Sequence, residues 1–382
     1  MQAQSFGLIA LCSLFTFHTA CGQSLELRTK DGTQEFVPSK NVEFKVVDSD
    51  PNFKLPAIQE EFPHCLSDGS LVLRTVDWET VNRTAKGQFP RYDEIVTVVR
   101  GKTTRTILSS SINDLSDFQT ADVFPADSGI YFLLQGAKEP PGERGPGKSP
   151  SGIPLKDYRY YLARFDMDGS YKGATKLDRE CDLSRPGRCE MRHIAVFPSG
   201  DMLATEPDPD TSTLRVLYLK SSGEMVKQIE VPASDKVLDL GDAHSSPNLE
   251  QVAKMYISSV YFTPVGNNIV IWRANSDDPV VEVTQGGGVR EVPIQIPEGW
   301  RLADMVSSND RWVVHFRTEN TPPTVRMSED TDVYYEVRPQ DGSLAAKIVE
   351  KGDVPLSIAC ESSGAYTSFK WSGAKPELLK GQ

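Results

Sequence analysis

Among 382 residues there is no apolar run approaching the roughly 20 needed to cross a bilayer as a helix. Histidine is scarce, at five, and cysteine stops at six. Neither a Gly-x-Ser-x-Gly elbow nor a His-Glu-x-x-His pair occurs, so nothing supports an elbow-type serine hydrolase or a zincin. No nucleotide site is expected either. Basic residues are outnumbered, 41 Lys and Arg against 53 Asp and Glu, for a formal charge of −12. An acidic surface repels phosphate backbones, and no basic cluster is interleaved with aromatics, so nucleic acid is not an expected partner. What is present suits a folded domain: 38% hydrophobic residues, with 16 Phe, 12 Tyr and 5 Trp, are enough for a core.

The N-terminus also lacks a basic residue. Residues 6–17 (FGLIALCSLFTF) have the length of a secretory signal core, and Ala20 and Gly22 suit cleavage after Gly22, yet the first Lys or Arg is Arg28. The expectation is an exported chain, periplasmic or secreted, with residues 1–22 as signal peptide and 23–382 as one domain. The alternative is lipid attachment at Cys21, since residues 18–21 (HTAC) loosely resemble a lipobox, although His18 stands where Leu or Val is usual. No transmembrane segment is expected in the mature chain.

Either route leaves Cys65, Cys181, Cys189 and Cys360, and an even set in an exported chain favours disulfides. Cys181 and Cys189 bracket DLSRPGR, where Pro186-Gly187 supplies a turn, so a local bridge is expected. A metal site there is poorer, because no second Cys or His pair lies nearby.

Residues 193–231 carry the clearest pattern. They read as four strands in succession: 194–197, a Pro-Ser-Gly turn, 201–206, a polar loop, 214–220, a Ser-Ser-Gly turn, and 225–231. Four antiparallel strands in about forty residues make one blade of a β-propeller. Two kinds of turn recur along the chain. An inner one follows a short apolar strand six times, at residues 65–69, 124–129, 197–200, 262–266, 306–310 and 360–364. An outer one occurs five times, at Gly101, Gly169, Gly223, 286–288 and Gly342. Gly, Asn and Asp there tolerate the positive φ of tight hairpins. The sixth unit runs out of chain a strand short, and residues 41–47 (NVEFKVV) stand ready to complete it. The expected fold is therefore all-β, a propeller of about six four-stranded blades whose last blade borrows an N-terminal strand. Seven blades, or a two-sheet β fold, are the alternatives.

The inner-strand pattern Ala195-Val196-Phe197-Pro198-Ser199-Gly200-Asp201-Met202-Leu203 resembles the repeat of six-bladed propellers of the NHL and TolB-like type, from about residue 61 onward. WD40 signatures and sialidase Ser-x-Asp-x-Gly-x-x-Trp boxes are absent. Cys65 and Cys360 each stand four residues before a turn glycine, in the first and last blades. In a closed ring those blades are neighbours, so a disulfide would lock the ends. Against it, inner strands of adjacent blades can stand further apart than the roughly 7 Å Cα limit, which leaves two buried apolar cysteines as the other reading.

Propeller enzymes of the resembling kind, such as lactonase-like hydrolases, place metal ligands and acid/base groups around the central channel. That resemblance makes Glu61, Asp122, His193 and Asp304 the candidate catalytic residues, each at or just before an inner strand, with His64 near them; the plainer reading is solvated or hydrogen-bonded rim residues. His315, alternating with apolar neighbours, reads as a satisfied strand histidine. Asp166-Met167-Asp168-Gly169 opens like a calcium loop but lacks the later ligands, so it reads as an outer turn. Asp239, Asp242 and His244 offer a weak metal set in the long loop 232–254. Residues 138–154 read as a mobile or extended arm, residues 321–332 form another long loop, and residues 82–84 (NRT) match a glycosylation acceptor. The sequence thus predicts a binding or scaffold module for a protein, carbohydrate or small-molecule ligand. The alternative is a metal-assisted hydrolase or lactonase using a divalent ion at the channel mouth.

Overall fold

A tight turn sends each strand back along the one just left, and the structure repeats this until a ring closes. The computed structural model describes residues 24–47, 63–76, 94–140, 142–143, 145–148, 152–180, 191–207, 214–232, 260–307, 311–321, 328, 330–351, 357–372 and 375–382. Three strands come first: β1 (Ser24–Arg28), β2 (Gln34–Val42) and β3 (Phe44–Val46). Blade one holds β4 (His64–Cys65), β5 (Leu71–Val76), β6 (Glu94–Arg100) and β7 (Thr103–Leu108). Blade two holds β8 (Asp117–Ala126), β9 (Gly129–Ala137), β10 (Arg159–Phe165) and β11 (Tyr171–Glu180). Blade three holds β12 (Ile194–Val196), β13 (Met202–Pro207), β14 (Leu214–Leu219) and β15 (Met225–Ile229). Blade four holds β16 (Tyr261–Val265), β17 (Asn268–Trp272), β18 (Val280–Thr284) and β19 (Val289–Val292). Blade five holds β20 (Trp300–Ser307), β21 (Trp312–Thr318), β22 (Asp332–Val337) and β23 (Leu344–Glu350). Blade six holds β24 (Ile358–Ser362), β25 (Ala365–Ser372) and β26 (Lys375–Gly381), with β3 as its outer strand.

The expected six-bladed propeller is therefore the fold. Its last blade closes through antiparallel pairs Leu379↔Val46, Lys380↔Lys45 and Gly381↔Phe44. The residues anticipated for that closing strand divide, however. Asn41 and Val42 belong to β2, which pairs in parallel with β23 on blade five, and β1 pairs with β2 outside it. Blade five becomes a six-stranded sheet, an addition that no turn spacing announced.

Glycine matters where the turns demand left-handed backbone. Gly200 has φ 89°, and its N–H donates to the Phe197 carbonyl at 2.8 Å to close the inner turn of blade three. Gly342 has φ 74°, and a Cβ there would meet the Pro293 carbonyl at 1.9 Å. Two prolines anticipated in inner turns sit inside strands instead, Pro125 opposite Ile130 and Pro264 opposite Ile269. Innermost strands have a free edge toward the channel, which is where proline costs no ladder hydrogen bond.

The core lies between blades, since each blade is apolar on both faces. One cluster joins blades two, three and four through Phe124, Phe197, Leu203, Leu217 and Ile271. Others join blades four and five through Trp272 and Trp312, blades five, six and one through Tyr334 and Tyr366, and blades one and two through Val96 and Phe132. Cys65 and Cys360 form a disulfide across the junction of blades one and six, with Cα atoms 4.9 Å apart. The distance objection fails because β4 and β24 adjoin directly.

The insertion of blade two is not an extended arm. Lys148 bridges Pro154, Leu155 N–H donates to Gly147 O at 3.0 Å, and Ile153 is buried with Tyr158 and Ala137. Asp166–Gly169 is the expected outer turn: Gly169 N–H donates to Asp166 O, and Asp168 accepts from Ser170 N–H. Cys181, Cys189, Asp239, Asp242, His244 and Asn82 lie outside the described residues. Among the described residues no helix is long and apolar enough to cross a membrane.

Candidate functional site in the channel mouth

Strand direction decides which end of the ring can hold a site. Each inner strand starts at the face that carries the long connections and runs toward the tight inner turns. Where the inner strands begin, they surround a cavity of about 530 Å³. Among the inner turns of blades one to four, a second space measures about 30 Å³. The wider cavity falls in the range of small-molecule sites.

Three of the four sequence candidates line this cavity, Asp122, His193 and Asp304, together with His64. Glu61 lies outside the described residues. Asp122 is buried where β8 bulges, and its carboxylate is fully engaged. One oxygen accepts from Arg74 Nη1 at 3.2 Å and the other from Ile194 N–H at 2.7 Å. The same guanidinium grips Glu94 with two further bonds, of 3.0 and 3.2 Å. His193 Nδ1 stands 4.0 Å from Asp122. Asp122 thus ties blade two to blades one and three, and its geometry is that of a joint.

Asp304 has a different setting. It is buried at the bulge of β20, and its one hydrogen bond among the described residues comes from the Met305 N–H at 2.7 Å. Among the described residues no Lys or Arg pairs with it. Burial pushes its pKa up to about 6, against the opposing pull of His315 and the Met305 N–H. His315 is its cross-strand neighbour, stacked on Tyr334 with ring centroids 4.6 Å apart and bonded through Nε2 to Asp332 at 2.8 Å. His315 is accordingly a satisfied strand histidine, as its alternation implied. Burial would raise Asp332 too, but hydrogen bonds from His315, Thr331 and Arg317 outweigh it and hold that carboxyl far below the usual range.

The rest of the wall is aliphatic and aromatic, and its aromatic part went unread in the sequence. Tyr261 and Trp272 stack at 4.7 Å, and His193 lies 6.4 Å from the Tyr261 ring. Trp272 Nε1–H donates to Thr263 Oγ1, which donates to the Met305 carbonyl, so the indole orientation is fixed between blades four and five. His64 meets Phe124 edge-on at 5.8 Å. The signal was available: Tyr261 opens its inner strand just as His64 and His193 lead theirs.

Among the described residues no three His, Cys, Asp or Glu side chains come together as a metal site. Residues 142–149 (GERGPGKS) do have the Gly-x4-Gly-Lys-Ser spacing of a phosphate loop, although no nucleotide site was expected. Of this stretch, the described residues 142–143 and 145–148 lie between β9 and β10 and form no strand-to-helix turn, and Lys148 Nζ bonds to the Glu143 carbonyl.

A buried, raised carboxyl costs stability when charged. Its folded-state pKa of about 6 exceeds the unfolded value, so the folded protein gains protons as pH falls and the cost disappears between about pH 6 and pH 4. Asp304→Asn, which keeps an acceptor for Met305 N–H, is expected to gain about 1–3 kcal/mol at pH 7.5. In urea melts the gain should shrink steadily toward pH 4, where Asp304 is neutral in the folded and the unfolded wild type alike. A constant or absent gain would mean that Asp304 is not held in this environment.

No protein-family model matches the chain, and no curated protein matches it. Solved structures do resemble it. The β-propeller domain of the Trilobed protease from Pyrococcus furiosus is 10% identical, with TM-score 0.39, over 84% of this chain and 79% of that one. A member of the duf4221 family from Bacteroides vulgatus is 7% identical, with TM-score 0.45, over 91% and 97%. The Neurospora crassa Pan2 WD40 domain is 10% identical, with TM-score 0.37, over 88% and 94%.

Proposed function

We propose that this protein is an exported propeller that holds a small organic ligand in the mouth of its channel, as a binding module. The carrying observation is the lining of the 530 Å³ cavity: aromatic and aliphatic walls, with the Asp122 carboxylate already spent on Arg74 and a backbone N–H. Sites for small ligands combine such walls with a few placed polar groups. Export is supported by the Cys65–Cys360 disulfide, since such bonds persist in oxidising compartments. The signal peptide at residues 1–22 belongs to the same proposal.

Metal-assisted hydrolysis makes the opposite demand, three or more ligands converging on an ion. Elemental analysis of gently purified protein separates the two. The binding reading predicts well under one equivalent of calcium or zinc per chain. One full equivalent, retained through gel filtration and lost with Asp304→Asn, would overturn it.

A further inference from the structure

A polar row crosses blade five on the face turned toward blade six. Asp304 on β20 pairs across to His315 on β21, which pairs across to Tyr334 on β22 and stacks on it. His315 Nε2 and Arg317 Nε bond to Asp332 at 2.8 and 2.9 Å, and Ser328 N–H and Thr331 Oγ1 bond to the other oxygen of that carboxylate. The inner end of the row is Asp304, which lines the cavity beside Ser357. One Asp304 oxygen accepts the Met305 N–H. The other has no donor among the described residues, yet it does not belong to the buried polar atoms sealed without a partner, so it keeps contact with solvent. In a residue that lines the cavity, that solvent is the water of the channel mouth.

The charged and titratable groups around Asp304 are, among the described residues, His315 and Arg317 on β21, Asp332 and Tyr334 on β22, and His64 on β4, a strand that also adjoins β20. Blade six brings the uncharged Ser357 and Ile358, β16 brings Tyr261 and Thr263, and His193 stands elsewhere on the wall. Asp332 is held low by its donors, and Tyr334 is raised by burial and then by Asp304 and Asp332, so neither changes charge between about pH 5 and pH 8. Asp304 does change charge there, pushed up to about 6 by burial against the pull of His315. An uncharged ligand that fills the mouth displaces the water on its free oxygen and offers no charge in return. The ionised carboxylate then loses solvation that the protonated form hardly needs. Ligand and proton therefore favour one another, by the same factor in both directions. We infer that the channel mouth is a proton-linked site, which takes up an uncharged organic ligand together with a proton on Asp304, and so loads in mild acid and unloads as the surroundings turn neutral. The inference rests on the binding role proposed above and adds how that site is regulated.

Adamantanol is a rigid apolar probe that carries no charge at these pH values. A tenfold coupling between ligand and proton gives a Kd about sevenfold higher at pH 7.5 than at pH 5, and uptake of about half a proton per ligand at pH 6.5. Calorimetric titration of the full protein, in two buffers of different ionisation heat, reads both quantities. Protonated His64 or His193 would act with the opposite sign, because desolvating an imidazolium expels its proton. The decisive quantity is therefore the difference between wild type and Asp304→Asn, expected to be about half a proton and a pH dependence about sevenfold steeper in wild type. Equal proton counts in the two proteins overturn the proton link and leave the channel site standing. If wild type binds no adamantanol at millimolar concentration, the channel site falls and the link falls with it. The Asn variant keeps an acceptor for the Met305 N–H, and its own binding curve shows that it folds. Should it bind nothing, the sign in wild type decides: net proton uptake at pH 6.5 upholds the link, and none or net release overturns it.

Discussion

Removal of the Cys65–Cys360 disulfide, by a Cys65→Ala/Cys360→Ala double substitution or by reductant, is expected to lower stability by about 3–5 kcal/mol. The bond joins residues separated by 295 positions, so it constrains nearly the whole unfolded chain. Loop-closure entropy grows with the logarithm of that length, which puts the effect near the top of the usual range. Both cysteines are buried, in the cluster that joins blades five, six and one. Urea denaturation of wild type with and without reductant, beside the double variant, checks the value. In reductant the wild-type curve should coincide with that of the variant, since whatever the expected Cys181–Cys189 bridge contributes is then lost from both. A loss below about 1 kcal/mol would mean that the β3–β26 pairing closes the ring by itself.

Arg74→Ala is expected to cost a similar amount, about 3–5 kcal/mol, through electrostatics. Arg74 stands between two buried carboxylates, Glu94 on β6 and Asp122 on β8, with side chains 9% and 6% exposed. Deleting the guanidinium leaves both charges without their counter-ion in a place water reaches poorly. The Coulomb gain is lost while the desolvation cost remains. A companion variant tests this cause: Arg74→Ala with Asp122→Asn and Glu94→Gln should recover much of the loss, since neither of these two carboxylates is then left as an orphaned charge. Equal instability of the single and triple variants would assign the effect to lost packing of the arginine stem. The joint also shapes the site, because the second oxygen of Asp122 holds Ile194 beside His193.

The two turn series made the architecture legible. Positive-φ glycines such as Gly69, Gly101, Gly169, Gly200 and Gly342 are read in sequence as they stand in space, because few other residues accept that backbone. Closure of blade six by Phe44–Val46 followed from counting strands. The β1–β2 addition did not, for parallel pairing of β2 with β23 needs no hairpin and leaves no turn signal. The 138–154 insertion misled through its Pro and Gly content, while its single anchor, Ile153, was too small a signal to outweigh them.

The site was legible in part. Asp122, His193 and Asp304 share the cavity because all three belong to inner strands or their leads: His193 leads β12, while Asp122 and Asp304 sit at bulges within β8 and β20, which run longer than their turns imply. Their difference was invisible. Asp122 is neutralised by Arg74, 48 positions away, whereas Asp304 is left to the Met305 amide, and only the ring brings such partners together or keeps them apart. No motif in the sequence marks Tyr261 or Trp272, since the stack and the Thr263 bond that orient them join different strands.

The cavity has a complete wall only if the first and last blades meet. The most direct measurement is therefore mass-spectrometric mapping of the unreduced, alkylated protein after proteolysis. A peptide holding Cys65 joined to one holding Cys360 is predicted. Finding Cys65 or Cys360 bonded instead to Cys181 or Cys189 would contradict the closed ring and the channel site built inside it.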